Sequence, residues 1–430
     1  MQEQTSSNSL GERVPKLRFP EFEGGWDSSS MGELGTFTKG APLSKADITE
    51  TGTPLILYGE LYTTYGDIAN TIVRKTDKNV KSECYSISGD VIIPTSGESP
   101  EEISTCTCVM QDGVILAGDL NIYRTNNVDG RFLSYEINHI RNREIAKIAQ
   151  GKSIVHIKAD ELAKIVIRFP SKAEQSKIIE LFSCLDRKIE LQKKLIDSLK
   201  LYKRGLLSKL FPQKGKSVPQ YRFAGFTDAW EQRKLGDTLC SLQNNTLSRA
   251  ELTYEEGTIK NVHYGDILVK YGEILDVKNE QIPNIIDTTV AKKYKASFLQ
   301  NGDVIFADTA EDETVGKCSE IAGLTDETAL SGLHTIPYRP QLKFATGYLG
   351  YYLNSSVFHQ QLIPLMQGIK VTSISKSAMQ NTDIVYPKSF DEQEKIGTYF
   401  MHLDHLITLH QQKYSKMQSI KKFMLQNMFV

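Results

Sequence analysis

The side chains able to make or break bonds are scattered through this chain, and none is spaced for the task. Six cysteines (Cys84, Cys106, Cys108, Cys184, Cys240 and Cys318) form no C-x-x-C pair and have no matching His spacing. They read as reduced thiols of a cytoplasmic protein, with no metal site. Cys106-Thr-Cys108 is too tight for an ordinary zinc clip and reads as two core positions of one strand. "AQGKS" (Ala149–Ser153) resembles the end of a phosphate loop, but Ala146 stands where the first glycine belongs, and Glu311 stands there before "VGK" (Val315–Lys317). No [ND]-P-P-[FY] motif of adenine methylation occurs, no glycine loop for S-adenosylmethionine, and no nuclease-like carboxylate–lysine cluster. No catalytic residue is assigned. What the chain does carry is clusters of hydroxyl, amide, aromatic and cationic side chains, the chemistry of hydrogen bonding and not of bond making.

Four such clusters recur in two halves of the chain. The first is Lys39, Ser44 and Lys45, loosely matched by Asn244, Asn245 and Arg249. The second is "YGELYTTY", with Tyr58, Tyr62, Thr63, Thr64 and Tyr65, matched by Tyr264, Lys270 and Tyr271 of "YGDILVKY". The third follows a "GDV" run, with Thr95 and Ser96 in one half and Thr309 in the other. The fourth follows "QG", with Lys152 and Ser153, then Lys370, Thr372 and Ser373.

The elements that position these clusters are themselves doubled. "VPKLRFPEFEGGW" (Val14–Trp26) returns as "VPQYRFAGFTDAW" (Val218–Trp230), 204 residues on. "GDVII" returns as "GDVIF" at an offset of 213, and "IRFP" as "IVYP" at 217. Constant order with a drifting offset is duplication, and a period above 200 means two whole domains. Each half ends on S-x-x-E (Ser171 to Glu174; Ser389 to Glu392), which predicts a capping box, with the Glu returning to the Ser amide. A seam stepping by four and three follows. In the first half it reads Ile178, Phe182, Leu185, Ile189, Gln192, Ile196, Leu199, Lys203 and Leu206. In the second it reads Ile396, Phe400, Leu403, Ile407, His410, Tyr414, Met417, Lys421 and Met424, every position 218 later.

A helix that long with one apolar stripe needs a partner, and the other copy supplies it. The expected pairing is antiparallel, in a register whose partners total 613, bringing Gln192 to Lys421 and Lys203 to His410. The predicted order is a tail (1–13), a globule (14–170), a long helix (171–212), a second globule (213–388) and a second helix (389–430). The fold class is α+β: two repeated mixed α/β domains separated by two long helices that form an antiparallel coiled coil with pseudo-two-fold symmetry. Each opening, through Phe19, Phe22 and Trp26 in the first copy, is expected to clamp its globule to a helix end. Net charge is −1, yet residues 172–216 hold twelve Lys and Arg against five Asp and Glu. No apolar run is long enough to span a membrane.

Such pseudo-symmetry matches that of duplex DNA. On the doubled openings, the "GDV" strands, the "QG" turns and the helix starts at Glu174-Gln175 and Glu392-Gln393, nearly the whole chain resembles the specificity subunit of type I restriction–modification systems. The resemblance implies a non-catalytic, cytoplasmic subunit whose two globules are target recognition domains, each reading half of an asymmetric bipartite site on double-stranded DNA. It implies helices that set the gap and dock two methyltransferase subunits. It also implies that cofactors belong to partners: S-adenosylmethionine for methylation, ATP and Mg for the restriction and translocase subunits. The four clusters are then the candidate DNA-binding residues, with Arg249 the residue expected to read guanine. The rival readings are a single-chain enzyme that modifies or cuts DNA, and a two-headed protein-binding scaffold.

Overall fold

A computed structural model describes residues 14–151 and 154–430. The chain divides into two compact units. One takes residues up to Gln192 together with Lys413–Val430, and the other takes Lys193–Gln412. The long helices, Lys172–Lys209 and Phe390–Met428, each contribute one half to either unit. No helix among the described residues is long and apolar enough to cross a membrane.

In the first unit the "GDV" run becomes the buried strand Asp90–Pro94, in the middle of a five-stranded sheet. Its neighbours are Leu120–Thr125 and Thr107–Val109, both antiparallel to it. A β-branched run buried on both faces belongs at a sheet centre, where both neighbours satisfy its backbone. The second unit repeats this with Val304–Ala307 between Thr335–Pro340 and Cys318–Ala322. Asp90 is gripped by Arg124 and Asp303 by Arg339, in each case through a guanidinium on the adjacent strand. The "QG" glycines take left-handed backbone, φ 139° at Gly151 and 118° at Gly368, and a Cβ at either would meet a carbonyl oxygen at 2.0 Å.

The openings bind helix starts and helix ends. Trp26 is buried against Phe132 and Phe429, and Phe429 also meets Phe182. Leu17 N–H donates to the Asn427 carbonyl, and the Lys177 ammonium sits over Phe19 and Phe22. The second unit repeats the motif with Phe211 against Trp230 and Phe400, and Lys395 over Phe226. The strand after each Trp pairs with the strand that feeds the long helix, Asp27–Ser30 with Val166–Phe169 and Glu231–Lys234 with Asp383–Tyr386.

The capping boxes are half made. Ser171 Oγ accepts the Glu174 amide, and Ser389 Oγ the Glu392 amide. The carboxylates do not return to the serines. Glu174 takes both Nε and Nη2 of Arg18 at 2.8 Å, and Glu392 takes Arg222 at 2.7 and 2.8 Å. A bidentate guanidinium outcompetes one neutral amide for a buried carboxylate.

Every seam position is buried or half-buried, and the helix segments run antiparallel within each unit, since Asp186 meets Lys421 while Phe182 meets Phe429, and Lys203 meets Asp404 while Phe211 meets Phe400. The register differs from the expected one. Lys421 meets Asp186 at 2.6 Å and Lys203 meets Asp404 at 2.7 Å, pairs that total 607 and not 613. The expected register matched seam residues only with seam residues. In the protein each lysine turns to an aspartate flanking the opposite seam and to one carboxylate of the globule, Asp67 at 3.1 Å for Lys421 and Glu273 at 2.6 Å for Lys203. Two carboxylates compensate a desolvated ammonium where Gln192 or His410 would not. A tyrosine of the globule completes each cluster. Tyr135 donates to Asp186 at 2.8 Å and Tyr351 to Asp404 at 2.6 Å.

The two clusters titrate in opposite senses. Burial pushes Asp67 upward, but the His139 hydrogen bond and the charges of His139 and Lys421 outweigh it and hold Asp67 at about 2. Asp404 moves up, because burial and the nearby Glu273 outweigh Lys203. A depressed carboxylate stabilises the fold above its unfolded value and loses that contribution as pH falls through the folded one. Wild-type stability therefore falls between the ordinary 3.8 and about 2 by a contribution that Asp67→Asn lacks, read as urea midpoints across that window. Lys421→Met leaves Asp186 without its cation and Asp67 with His139 alone, and lowers unfolding free energy by about 3 kcal/mol, measured by urea unfolding near neutral pH.

Candidate nucleic-acid interface

In the first unit a cleft of about 910 Å³ gathers seven of the expected residues: Lys39, Ser44, Lys45, Tyr58, Thr63, Thr64 and Thr95. Lys39 ends the strand Gly35–Lys39. Ser44 caps the one-turn helix Lys45–Asp47, accepting the Ala46 amide at 3.3 Å, while Asp47 returns to the Ser44 amide at 2.9 Å. That box fixes the backbone and leaves the Lys45 side chain exposed. The Glu60 carbonyl accepts the amides of Thr63, Thr64 and Tyr65, a tight turn that leaves Thr63 and Thr64 exposed. Cationic and hydroxyl groups on rigid turns around an open cleft can bind phosphate and base edges.

Other expected residues hold the fold instead. Tyr62 donates to the Ser96 carbonyl at 3.0 Å, and burial pushes its hydroxyl pKa up. Tyr65 Oη accepts the Val73 amide at 3.1 Å. Ser96 is buried and donates to Asp119 at 2.9 Å. Lys152 and Ser153 lie outside the described residues. The neighbouring "QG" turn and the stretch after the "GDV" strand, distant in sequence, form one ribbon, with Ser96 opposite His156 and Gly97 opposite Val155.

The second unit departs further from expectation. Asn245 is 1 % exposed and donates to Asn261 at 2.6 Å and to the Ser331 carbonyl at 3.0 Å, so it joins core strands. Asn244 donates to the Gly332 carbonyl at 3.2 Å. Tyr271 is 2 % exposed, a core residue that reads as surface only if the "YGDILVKY" helix is taken for an open loop. Lys270 donates to the Gln281 carbonyl and lies over Tyr254. Tyr264 is half-buried between His263 and His334. Thr309 donates to Asp308 at 2.7 Å and stands opposite Ser373 in the ribbon that also carries Thr372, while Lys370 at its turn is exposed. Arg249 is not idle either. Its two Nη groups fork onto Asp266 at 2.8 and 3.0 Å.

Sequence reasoning missed Arg74 and Glu60, which line the first cleft together. Arg74 lies in "IVRKTDKNV", a stretch with no glycine or aromatic signal. The sequence clue is the acid shared by the repeated "YGE" and "YGD", Glu60 and Asp266.

The model of the family described as "Type I restriction modification DNA specificity domain" matches residues 23–201 and again 227–419. A type I restriction enzyme MjaVIII specificity subunit of Methanocaldococcus jannaschii is 24 % identical over 420 residues, covering 94 % of this chain and 92 % of its own. The crystal structure of a type I restriction–modification S subunit from M. genitalium is similar in fold, with TM-score 0.57 at 15 % identity over 97 % of this chain and 99 % of that one. A chain from a structural study of type I complex assembly and conformational transition gives 0.56 at 17 % identity, over 96 % and 98 %.

The reassignment of Asn245 to the core has a consequence for stability. Asn245→Ala leaves the Ser331 carbonyl and Asn261 short of a donor and costs about 1–3 kcal/mol, measured as a fall in thermal midpoint.

Proposed function

The chain belongs to the type I restriction–modification DNA specificity family, and from that membership we propose how its two halves divide the work of recognition. The chain is the non-catalytic specificity subunit of such a system. Each globule reads one half of an asymmetric bipartite site in the major groove of duplex DNA. The paired helices set the distance between the half-sites and dock two methyltransferase subunits, which carry S-adenosylmethionine. ATP-dependent restriction and translocase subunits, with Mg, join for cleavage. The assembly works in the cytoplasm.

One observation carries this reading. The two globules are mounted alike and decorated differently. Lys421, Asp186, Asp67 and Tyr135 in one unit correspond to Lys203, Asp404, Glu273 and Tyr351 in the other. Away from this mount the polar faces diverge, with Lys45 where the other half has Arg249, and Thr63 and Thr64 where it has Val269 and Lys270. A constant frame with divergent faces suits two readers of two different sequences.

Exchanging residues 14–160 for those of another specificity subunit, in a complex with the methyltransferase partners, changes one half-site and leaves the other intact. Mapping methylated adenines checks this, and a change in both half-sites contradicts it. Replacing Lys39 and Lys45 together by Ala weakens binding of all sequences evenly and flattens the slope of log affinity against log salt by about 2, roughly 0.9 per lost phosphate contact.

A further inference from the structure

The cleft of the first unit holds a cation whose geometry differs from that of its neighbours. Arg74 Nε donates to Glu60 Oε1 at 2.8 Å. Glu60 is itself fixed, its other oxygen accepting the Leu57 amide at 3.2 Å. The Arg74 side chain is 51 % exposed while that of Glu60 is 10 % exposed. Both Nη groups of Arg74 make no hydrogen bond to the described residues, and the residue lines the cleft beside Lys45 and Thr63. A buried carboxylate thus holds the inner edge of a guanidinium and leaves its outer fork open.

The second unit has the same carboxylate and a different arginine. Asp266 stands 206 residues after Glu60, the offset of the surrounding "YG" motifs. It is buried, and it holds Arg249, whose side chain is 46 % exposed. Arg249 comes from a different kind of element than Arg74 does. It begins a Ser-capped turn equivalent to the one that Lys45 begins, 204 residues earlier. Arg74 comes instead from a strand. In the first unit Pro54 faces Lys75, and in the second Lys260 faces Asn284, so strand register puts Pro283 at the place of Arg74. The acid is shared between the heads, and the arginine is not.

We propose that this carboxylate is a fixed buttress in both heads, and that the arginine it holds is the guanine-reading residue of its half-site: Arg74 in the first, Arg249 in the second. The inference rests on the DNA-reading function proposed above. A guanidinium fork matches the O6 and N7 acceptors of guanine in the major groove. A buttress orders the side chain before binding, so less rotamer freedom is lost on the DNA. The two heads differ in strength for a geometric reason. Arg74 is held through Nε and keeps both Nη groups for the base. Arg249 spends one N–H of each Nη on Asp266, and so offers guanine a poorer fork.

The test uses the full complex with its methyltransferase partners and a duplex library randomised at both half-sites, read by sequencing the methylated products. Arg74→Lys keeps the charge and removes the fork. The expected result is a loss of guanine preference at one base pair of one half-site, by roughly ten-fold or more. Arg249→Lys causes a smaller loss in the other half-site. Glu60→Gln keeps Arg74 but loosens its hold, and relaxes the same base pair to a lesser degree. The half-site that is not targeted serves in each case as the check that the complex has folded. An unchanged profile in Arg74→Lys overturns the assignment, as does an even fall over all sequences, which marks a phosphate contact. A first half-site without any G·C pair also overturns it while leaving the DNA-reading function intact. A wild-type complex with no bipartite preference refutes that function itself.

Discussion

Each unit depends on one lysine brought out of water and answered by two carboxylates. Lys421 and Lys203 are 17 % and 12 % exposed on their side chains. One carboxylate comes from the opposite long helix and one from the globule, and a tyrosine of the globule donates to the helix aspartate. This single cluster fixes two relations at once. It sets the register of the antiparallel helix segments, and it sets how the globule sits on them. Lysine on a coiled-coil seam is unfavourable by itself, since desolvating an ammonium costs several kcal/mol. It is tolerated where partners converge, and a wrong register would strand it. Specificity of arrangement, more than added stability, follows from such a site.

The apolar packing around the clusters supplies what charge does not. Trp26, Phe132, Phe182 and Phe429 meet in one unit, and Trp230, Phe211, Phe400 and Tyr348 in the other. The Arg18–Glu174 and Arg222–Glu392 forks then fasten each opening to a helix start. The doubled thirteen-residue opening is thus a fastening, used once per globule. The frame is repeated because the mounting problem is repeated, and the faces differ because two different half-sites must be read.

The duplication, the two long helices, their antiparallel sense and the buried "GDV" strands were legible in the sequence. Each is a pattern of period or repetition, and such patterns survive divergence between copies. The register was not legible. The seam shows where Lys203 and Lys421 stand but not that Asp186 and Asp404, one step off the seam, reach them, nor that Asp67 and Glu273 arrive from the globule. The candidate surface was legible in part. Lys39, Lys45, Thr63 and Thr64 do line one cleft, whereas Asn245, Tyr271 and Ser96 are interior. Residue type alone cannot separate a polar side chain that faces solvent from one that satisfies buried backbone. That distinction is decided by strand pairings remote in sequence, such as the ribbon that puts Thr309 against Ser373.

The central claim is that the lysine–aspartate contact between opposite helices holds the arrangement, and a double-mutant cycle tests it most directly. Lys203→Met and Asp404→Asn, singly and together, are compared by urea unfolding with the cycle of Lys203→Met and His410→Ala. The account predicts a coupling of about 1–3 kcal/mol for the first pair and additivity to within about 0.5 kcal/mol for the second. Additivity between Lys203 and Asp404, with coupling between Lys203 and His410, would contradict it.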